Sequence, residues 1–224
     1  TQINNWTEKE LRQAEKESLG VYMSSHPLKS HKEKIKQLST VFSSEVSELS
    51  EGEEIVIGGI IINIRQSVTK KGDPMLYVTL EDMGGAVECI AFKNEIKAYQ
   101  PLLVVDEVVF IRAQVGFQST IPTVRIKEII PEKDALARLA KCMTIRLDAL
   151  NFDENKLIQL KEFIKKNSGA CPLFFEIATP DNNIQIKTSS QYFVSVSNTF
   201  ISLLQDLFGS DGFQINQPET LPVV

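Results

Sequence analysis

Cysteine is scarce in this chain of 224 residues: Cys89, Cys142 and Cys171 are odd in number, widely spaced and set in apolar stretches. That pattern excludes a disulfide framework and the paired spacing of a zinc site, so buried free thiols are expected. Histidine is scarcer still. His26 and His31 have no neighbours that complete a metal site, and they read as a turn histidine and a surface histidine. No Walker loop and no G-x-G-x-x-G stretch occurs, and no serine has an evident base beside it. The acidic pairs Glu81-Asp82, Asp106-Glu107 and Asp153-Glu154 are sequence neighbours. Neighbours on a strand face opposite ways, so they do not converge on two metal ions about 4 Å apart. These absences predict a segment with no catalytic site and no cofactor of its own. No apolar run is long enough to span a bilayer, so no membrane partner is expected. The chain opens at Thr1 with neither initiator Met nor signal peptide, which predicts a soluble, cytoplasmic piece of a longer protein.

An excess of positive charge is missing as well. The net charge of −5 argues against a broad phosphate-binding surface. The sum hides an asymmetry: acids gather at Glu51, Glu53, Glu54, Asp106 and Glu107, whereas Arg65, Lys70 and Lys71 lie together. That distribution supports a local basic patch, an auxiliary grip on a strand rather than a principal DNA-binding surface.

What is present is a pattern of short strands. With 42% hydrophobic residues the chain has material for two small cores. Five apolar runs stand at 54–65, 74–82, 86–92, 108–117 and 123–130, with a helical insert at 94–103 before the fourth. Five strands with one helix in that place is the order of an OB-fold barrel, whose surface holds single-stranded nucleic acid or oligosaccharide. In the second run Leu76, Val78 and Leu80 share the inner face, and Tyr77, Thr79 and Glu81 the outer one. In the first run Ile60, Ile62 and Ile64 take the inner parity, leaving Gly59, Ile61, Asn63 and Arg65 outside. Lys70-Lys71-Gly72-Asp73-Pro74 makes the turn between them and puts two lysines at its tip. Gly84-Gly85 signals a tight hairpin.

The candidate nucleic-acid-binding residues follow from those faces: Asn63, Arg65, Tyr77 and Thr79 on the outer side, Lys70 and Lys71 in the loop. Tyr77 either stacks on a base or covers the barrel beside Ile61. Arg112, Arg125 and Lys127 on the last two strands either extend the groove or keep an exposed face soluble. Phe92 and Phe117 read as core or barrel-end packing.

The predicted class is α+β in three parts: a short helical segment with a linker (1–50), the barrel (51–131) and a small α+β domain (132–224). Thr7 and Glu10 have capping-box spacing and Trp6 staples onto Leu11, starting a helix at Glu8 that stops near Gly20, before a turn at Ser25-His26-Pro27. A second helix over 30–38 turns Ile35 and Leu38 inward and its lysines to solvent. Residues 39–52 read as a linker with an acidic edge. After a helical connector at 131–141 come a strand at 143–147, a helix at 153–167 stapled by Phe152 and Leu157, and strands at 173–179, 184–188 and 193–196. A last helix capped by Asn198 ends at Gly209, and a polar, mobile tail follows Ser210. Leu204-Gln205-Asp206-Leu207-Phe208 is reminiscent of a sliding-clamp-binding peptide, but its Gln is displaced by one and its apolar residues fall at helical spacing, which favours a core helix.

Glu15-Lys16-Glu17-Ser18-Leu19-Gly20-Val21-Tyr22-Met23-Ser24-Ser25-His26-Pro27-Leu28 resembles the segment before the OB domain in the alpha subunit family of bacterial DNA polymerase III. Gly58-Gly59, Arg65-Gln66-Ser67-Val68-Thr69-Lys70-Lys71-Gly72, Tyr77-Val78-Thr79-Leu80-Glu81-Asp82 and Gly85-Ala86-Val87-Glu88 are similar to the strands and loop that follow. The likeness covers residues 8–131 and is weaker beyond. It implies a parent DNA-directed DNA polymerase, a nucleotidyltransferase of the replisome, whose polymerase domain, Mg2+ site, phosphoesterase-like domain and main sliding-clamp motif lie upstream. The first segment then ends the polymerase and helix-hairpin-helix region. The barrel meets single-stranded template, and the last domain contacts the tau subunit of the clamp loader. Two other readings stay open. The Tyr-Val-Thr-Leu strand also resembles anticodon-binding OB domains of tRNA-handling enzymes, although no class II catalytic motif occurs in 131–224. A barrel that serves only as a protein-interaction module is the other.

Overall fold

The computed structural model describes residues 27–118, 121–148, 153–179 and 182–216. The expected first helix with its Trp6, Thr7 and Glu10 signals, His26 of the turn, and the Phe152 staple lie outside the described residues.

The barrel forms as the periodicity requires. Strands β1 (Glu54–Val68), β2 (Pro74–Asp82), β3 (Gly85–Phe92), β4 (Val108–Gln118) and β5 (Ile121–Pro131) close in the order β1-β2-β3-β5-β4. Before them stands helix α1 (Lys32–Leu38), with Ile35 and Leu38 buried, and α2 (Lys93–Tyr99) fills the gap between β3 and β4. The alternation in β2 is as expected, with Val78 and Leu80 fully inside.

In β1 the expected parity is reversed over three residues. Ile57, Ile61 and Ile64 face the barrel core, whereas Ile60 and Ile62 pack into a second core outside the barrel wall. The cause is a bulge between Ile61 and Asn63, whose extra residue exchanges the two faces of everything after it. Asn63 and Arg65 are therefore outside, as expected, although the start of the strand is not. At the same place β1 leaves β4, its partner up to Ile60, and takes up β2. Gly59 makes that transfer possible: a Cβ there would sit 2.4 Å from the Glu81 carbonyl oxygen.

Residues 39–52 are not a linker. A short 3-10 helix (Ser43–Glu48) lays Val46, 1% exposed, against the barrel core. Asp82 at the end of β2 holds it in place, accepting hydrogen bonds from the Ser43 backbone N–H (2.7 Å), the Ser43 hydroxyl (2.6 Å) and the Gly84 N–H (2.7 Å). Glu45, Glu48 and Glu51 are exposed on the solvent side of this plug.

The connector is helix α3 (Glu132–Leu139), and its first residue ties it back to α1. The Glu132 carboxylate receives Lys34 Nζ at 2.7 Å and His31 Nδ1 at 3.0 Å. Burial opposes its charge, but those two hydrogen bonds outweigh burial and hold the carboxyl below the ordinary value for glutamate.

Strands β6 (Met143–Asp148), β7 (Ser168–Cys171), β8 (Leu173–Ala178), β9 (Asn183–Lys187) and β10 (Phe213–Ile215), with helices α4 (Glu154–Lys166) and α5 (Asn198–Phe208), make the last unit. Its sheet runs β10-β6-β8-β9 with β6 and β8 parallel. Three expectations fail here. Residues 193–196 form no full strand; a 3-10 turn (Ser190–Tyr192) precedes them and only Val194 bridges, to Ser168 and Cys171. The residues after Ser210 are not a mobile tail as far as Asn216, because β10 pairs with β6 and buries Phe213 and Ile215. The cap of α5 is Ser197, whose hydroxyl accepts from the Phe200 N–H, rather than Asn198. Leu204 and Leu207 point into the core, as the helical spacing predicts.

Phe200, Leu204 and Met143 of this unit share one core with Ile60, Phe110 and Ile130 from the outside of the barrel. All three cysteines are buried and free. Burial, with Glu88 nearby, pushes the Cys89 thiol up to about 12, and burial, with Cys142 nearby, pushes Cys171 up to about 11.

Asp82→Ala leaves three donors without their acceptor and is expected to cost about 2–3 kcal/mol, measured as a lower urea midpoint at unchanged slope. Because the Glu132 carboxyl is lowered in the fold, its contribution is present above the ordinary carboxylate range and lost as pH falls through the lowered value. The stability of Glu132→Gln should therefore fall less steeply with acid than that of the parent chain.

Candidate nucleic-acid interface

The register of the barrel lines up one row of outward side chains across four strands. Arg65 of β1 stands opposite Tyr77 of β2, Tyr77 opposite Ile90 of β3, and Ile90 opposite Arg125 of β5. In the next row Asn63 faces Thr79, and Thr79 faces Glu88. The structure thus brings together Asn63, Arg65, Tyr77, Thr79 and Arg125 on one face.

Cations on this face lie over rings. The Arg65 guanidinium carbon is 4.1 Å from the Tyr77 ring centroid, and that of Arg125 is 4.9 Å from the Phe92 centroid. Arg65 Nη2 also meets Glu88 Oε2 at 3.4 Å, with both side chains more than half exposed. Such a pair contributes little to stability and is readily exchanged for another anion.

The loop between β1 and β2 is closed on itself. The Thr69 N–H donates to the Asp73 carbonyl (2.8 Å), the Gly72 N–H to the Thr69 carbonyl (2.9 Å), and Gly72 adopts φ +84, a conformation that suits glycine. Lys70 and Lys71 are exposed on this loop, which begins about three strand residues, or roughly 10 Å, beyond the Arg65 row. Asp73 pairs instead with Lys93 at 3.1 Å.

Two of the candidate residues stand apart. Arg112 is on the flank of the barrel next to α3, where its Nε pairs with Glu128 (2.8 Å) and its Nη2 donates to the Arg138 carbonyl (3.0 Å). Lys127 is exposed on β5 between that flank and Arg125. Sequence reasoning missed Glu88 and Ile90, and it read Phe92 as core or barrel-end packing. Cys89 and Ala91 are the inward pair of β3, so Ile90 and Phe92 face outward. That alternation was available in the sequence. Phe117 packs against the barrel core as expected.

The arrangement puts flat rings and guanidinium planes on one open face with lysines at its margin, surfaces of the kind that base stacking and phosphate contact use in single-strand binders. Among the described residues no group of three His, Cys, Asp or Glu stands close enough to hold a metal ion, and no helix is long and apolar enough to cross a membrane.

Comparison with known proteins divides the chain at the same place as its sheets. Residues 55–132 match an OB-fold nucleic acid binding domain family, and residues 143–209 match the family of the DNA polymerase III alpha subunit, C-terminal domain. The DNA polymerase III subunit alpha of Pseudomonas fluorescens is 27% identical over 92% of this chain and 18% of its own length. That of Pseudomonas aeruginosa is 26% identical over 96% of this chain, and that of Escherichia coli K12 is 24% identical over 94%; each is covered over 18% of its length. The chain thus spans under a fifth of these relatives. Among solved structures, the mitochondrial single-stranded DNA binding protein Rim1 of S. cerevisiae aligns with 37% of this chain and 95% of its own, at 12% identity and a TM-score of 0.32, too distant to bear on function.

Replacing an inward and an outward side chain separates the faces. Ile61→Ala should cost about 2–4 kcal/mol by emptying core volume, and Phe92→Ala about 1 kcal/mol, read from denaturant unfolding.

Proposed function

We propose that this chain, a relative of the C-terminal regions of bacterial DNA polymerase III alpha subunits, grips single-stranded DNA on the outer face of β1, β2 and β3, as part of a replicative polymerase. The row Arg65, Tyr77, Ile90, Arg125, with Phe92 beside it under Arg125, carries this reading, because together they set two aromatic rings and two guanidinium groups on one open surface. A base entering at Tyr77 displaces Arg65 from the ring or stacks on its guanidinium plane. Either movement trades the exposed Glu88 carboxylate for a phosphate. Lys70 and Lys71 add phosphate contacts that position a strand without reading its sequence. The match of residues 55–132 to a nucleic-acid-binding family supports the same assignment.

The last unit is proposed to dock the tau subunit of the clamp loader in the cytoplasmic replisome. It supports that role with an edge strand, β9, whose Ile184 and Ile186 are each 46% exposed. Residues 204–208 are given no part in clamp binding, since Leu204 and Leu207 are buried. The sliding clamp, the polymerase chemistry and its Mg2+ belong in this reading to the parent protein.

The test is a fluorescence-anisotropy titration of a short labelled single strand at low and moderate salt. Tyr77→Ala should weaken binding about ten-fold or more, since stacking contributes about 1–3 kcal/mol per base. Lys70→Ala with Lys71→Ala should weaken all sequences alike and flatten the salt dependence. Binding that survives all three substitutions unchanged would remove the strand from this face.

A further inference from the structure

A cleft of about 790 Å³ opens between the barrel wall, α1, α3 and β10. Five of its lining residues are cations, Lys36, Arg112, Arg138, Lys141 and Arg146, against the two carboxylates Glu33 and Asp211. In a chain of net charge −5 this is a local reversal of sign.

The walls are fixed in advance. Asn216 sits at the lip in the left-handed region, φ 59, and ties three elements together. Its Oδ1 accepts from the Lys141 N–H (2.5 Å), and its Nδ2 donates to the carbonyls of Leu139 (2.9 Å) and Gln37 (3.4 Å). Glu128 holds both Arg112 and Arg138, and Arg146 pairs with Glu176 while donating to the Asp211 carbonyl. Lys36 and Lys141 are exposed, with no ion pair among the described residues.

The cleft continues the barrel face. From Arg125 the outward side of β5 runs through Lys127 to Glu128, where Arg112 and Arg138 converge, a distance of about 10 Å along the strand. The aromatic in its lining, Phe213, is buried, so the cleft offers no ring for a base to stack on.

We propose that this cleft takes the sugar–phosphate backbone of the same single strand whose bases stack on the barrel face, with Lys127 bridging the two sites. The proposal rests on the reading of that face as strand-binding. Charge without aromatic surface suits phosphates, and continuity along β5 favours the strand over an acidic peptide.

The experiment compares two labelled thymidine strands, about six and about twenty nucleotides long, within and beyond the reach of one OB fold. The long strand should bind the parent chain more tightly. Lys36→Glu with Lys141→Glu should cost the long strand about ten-fold and lower its salt slope by about 1.4, the share of two phosphates on a single strand. The short strand should bind as before. Lys36→Gln with Lys141→Gln, milder for folding, should give a smaller loss in the same direction at an unchanged thermal midpoint. Equal affinity of parent and variants for the long strand overturns the proposal. So does a polyglutamate peptide that binds through these two lysines without displacing the strand, since the cleft then serves an acidic peptide. Failure of the short strand to bind the parent chain overturns the barrel reading itself, and this one with it.

Discussion

Burial of both sides of strand β1 is the constraint on which the other features depend. A strand that lines the inside of a barrel and also forms the floor of a second core has no free face in its middle, and here Ile57 and Ile61 serve one core while Val56 and Ile60 serve the other. Such a strand must still present polar residues outward where the second core ends. The bulge after Ile61 does this in one step, returning Ile64 to the barrel and turning Asn63 and Arg65 to solvent. Without it, Arg65 would point into the barrel and the ring of Tyr77 would lose its cation. Gly58 and Gly59 belong to the same solution, since a Cβ at Gly58 would lie 2.5 Å from the Phe110 ring.

Charge is organised around the same frame. Arg65, Arg112, Arg138 and Arg146 each meet a carboxylate, from Glu88, Glu128 or Glu176, so the guanidinium groups are oriented but masked. Exposed pairs of this kind are worth about 1 kcal/mol or less and yield to a polyanion that offers several contacts at once. An acidic chain can in this way keep several guanidinium groups oriented at its surface without becoming a general cation. The same masking makes long-range attraction weak and contact at close range decisive.

Much of the barrel was legible in the sequence. Alternation in β2, turn chemistry at Gly72 and Gly85, and the position of the helix before β4 are local signals, and each element formed where they placed it. The candidate site was legible to the same extent: the sequence put Tyr77, Thr79, Arg65 and Asn63 on one outer surface, and the register aligned them. What local pattern did not reveal was the carboxylate of Glu88 on β3, which reaches Arg65 of β1 across the intervening β2, and the pairing of Arg112 with Glu128 on another flank. The unit at 143–216 was read less well, because β7 and β10 are only a few residues long and depend on partners far away in the chain.

The sequence by itself determined the five strands of the barrel, which residues are too apolar to stay wet and where the barrel must turn, since these depend on neighbours two to four residues away. Tertiary structure alone decided that residues 39–52 plug the barrel, that β10 completes a distant sheet, and that Ile60 and Ile61 bury in opposite directions. Each of these depends on a second surface arriving from far along the chain: Asp82 for the plug, β6 for β10, and the last unit's helices for the outer side of β1. Periodicity records whether a side chain is buried; only packing decides against what.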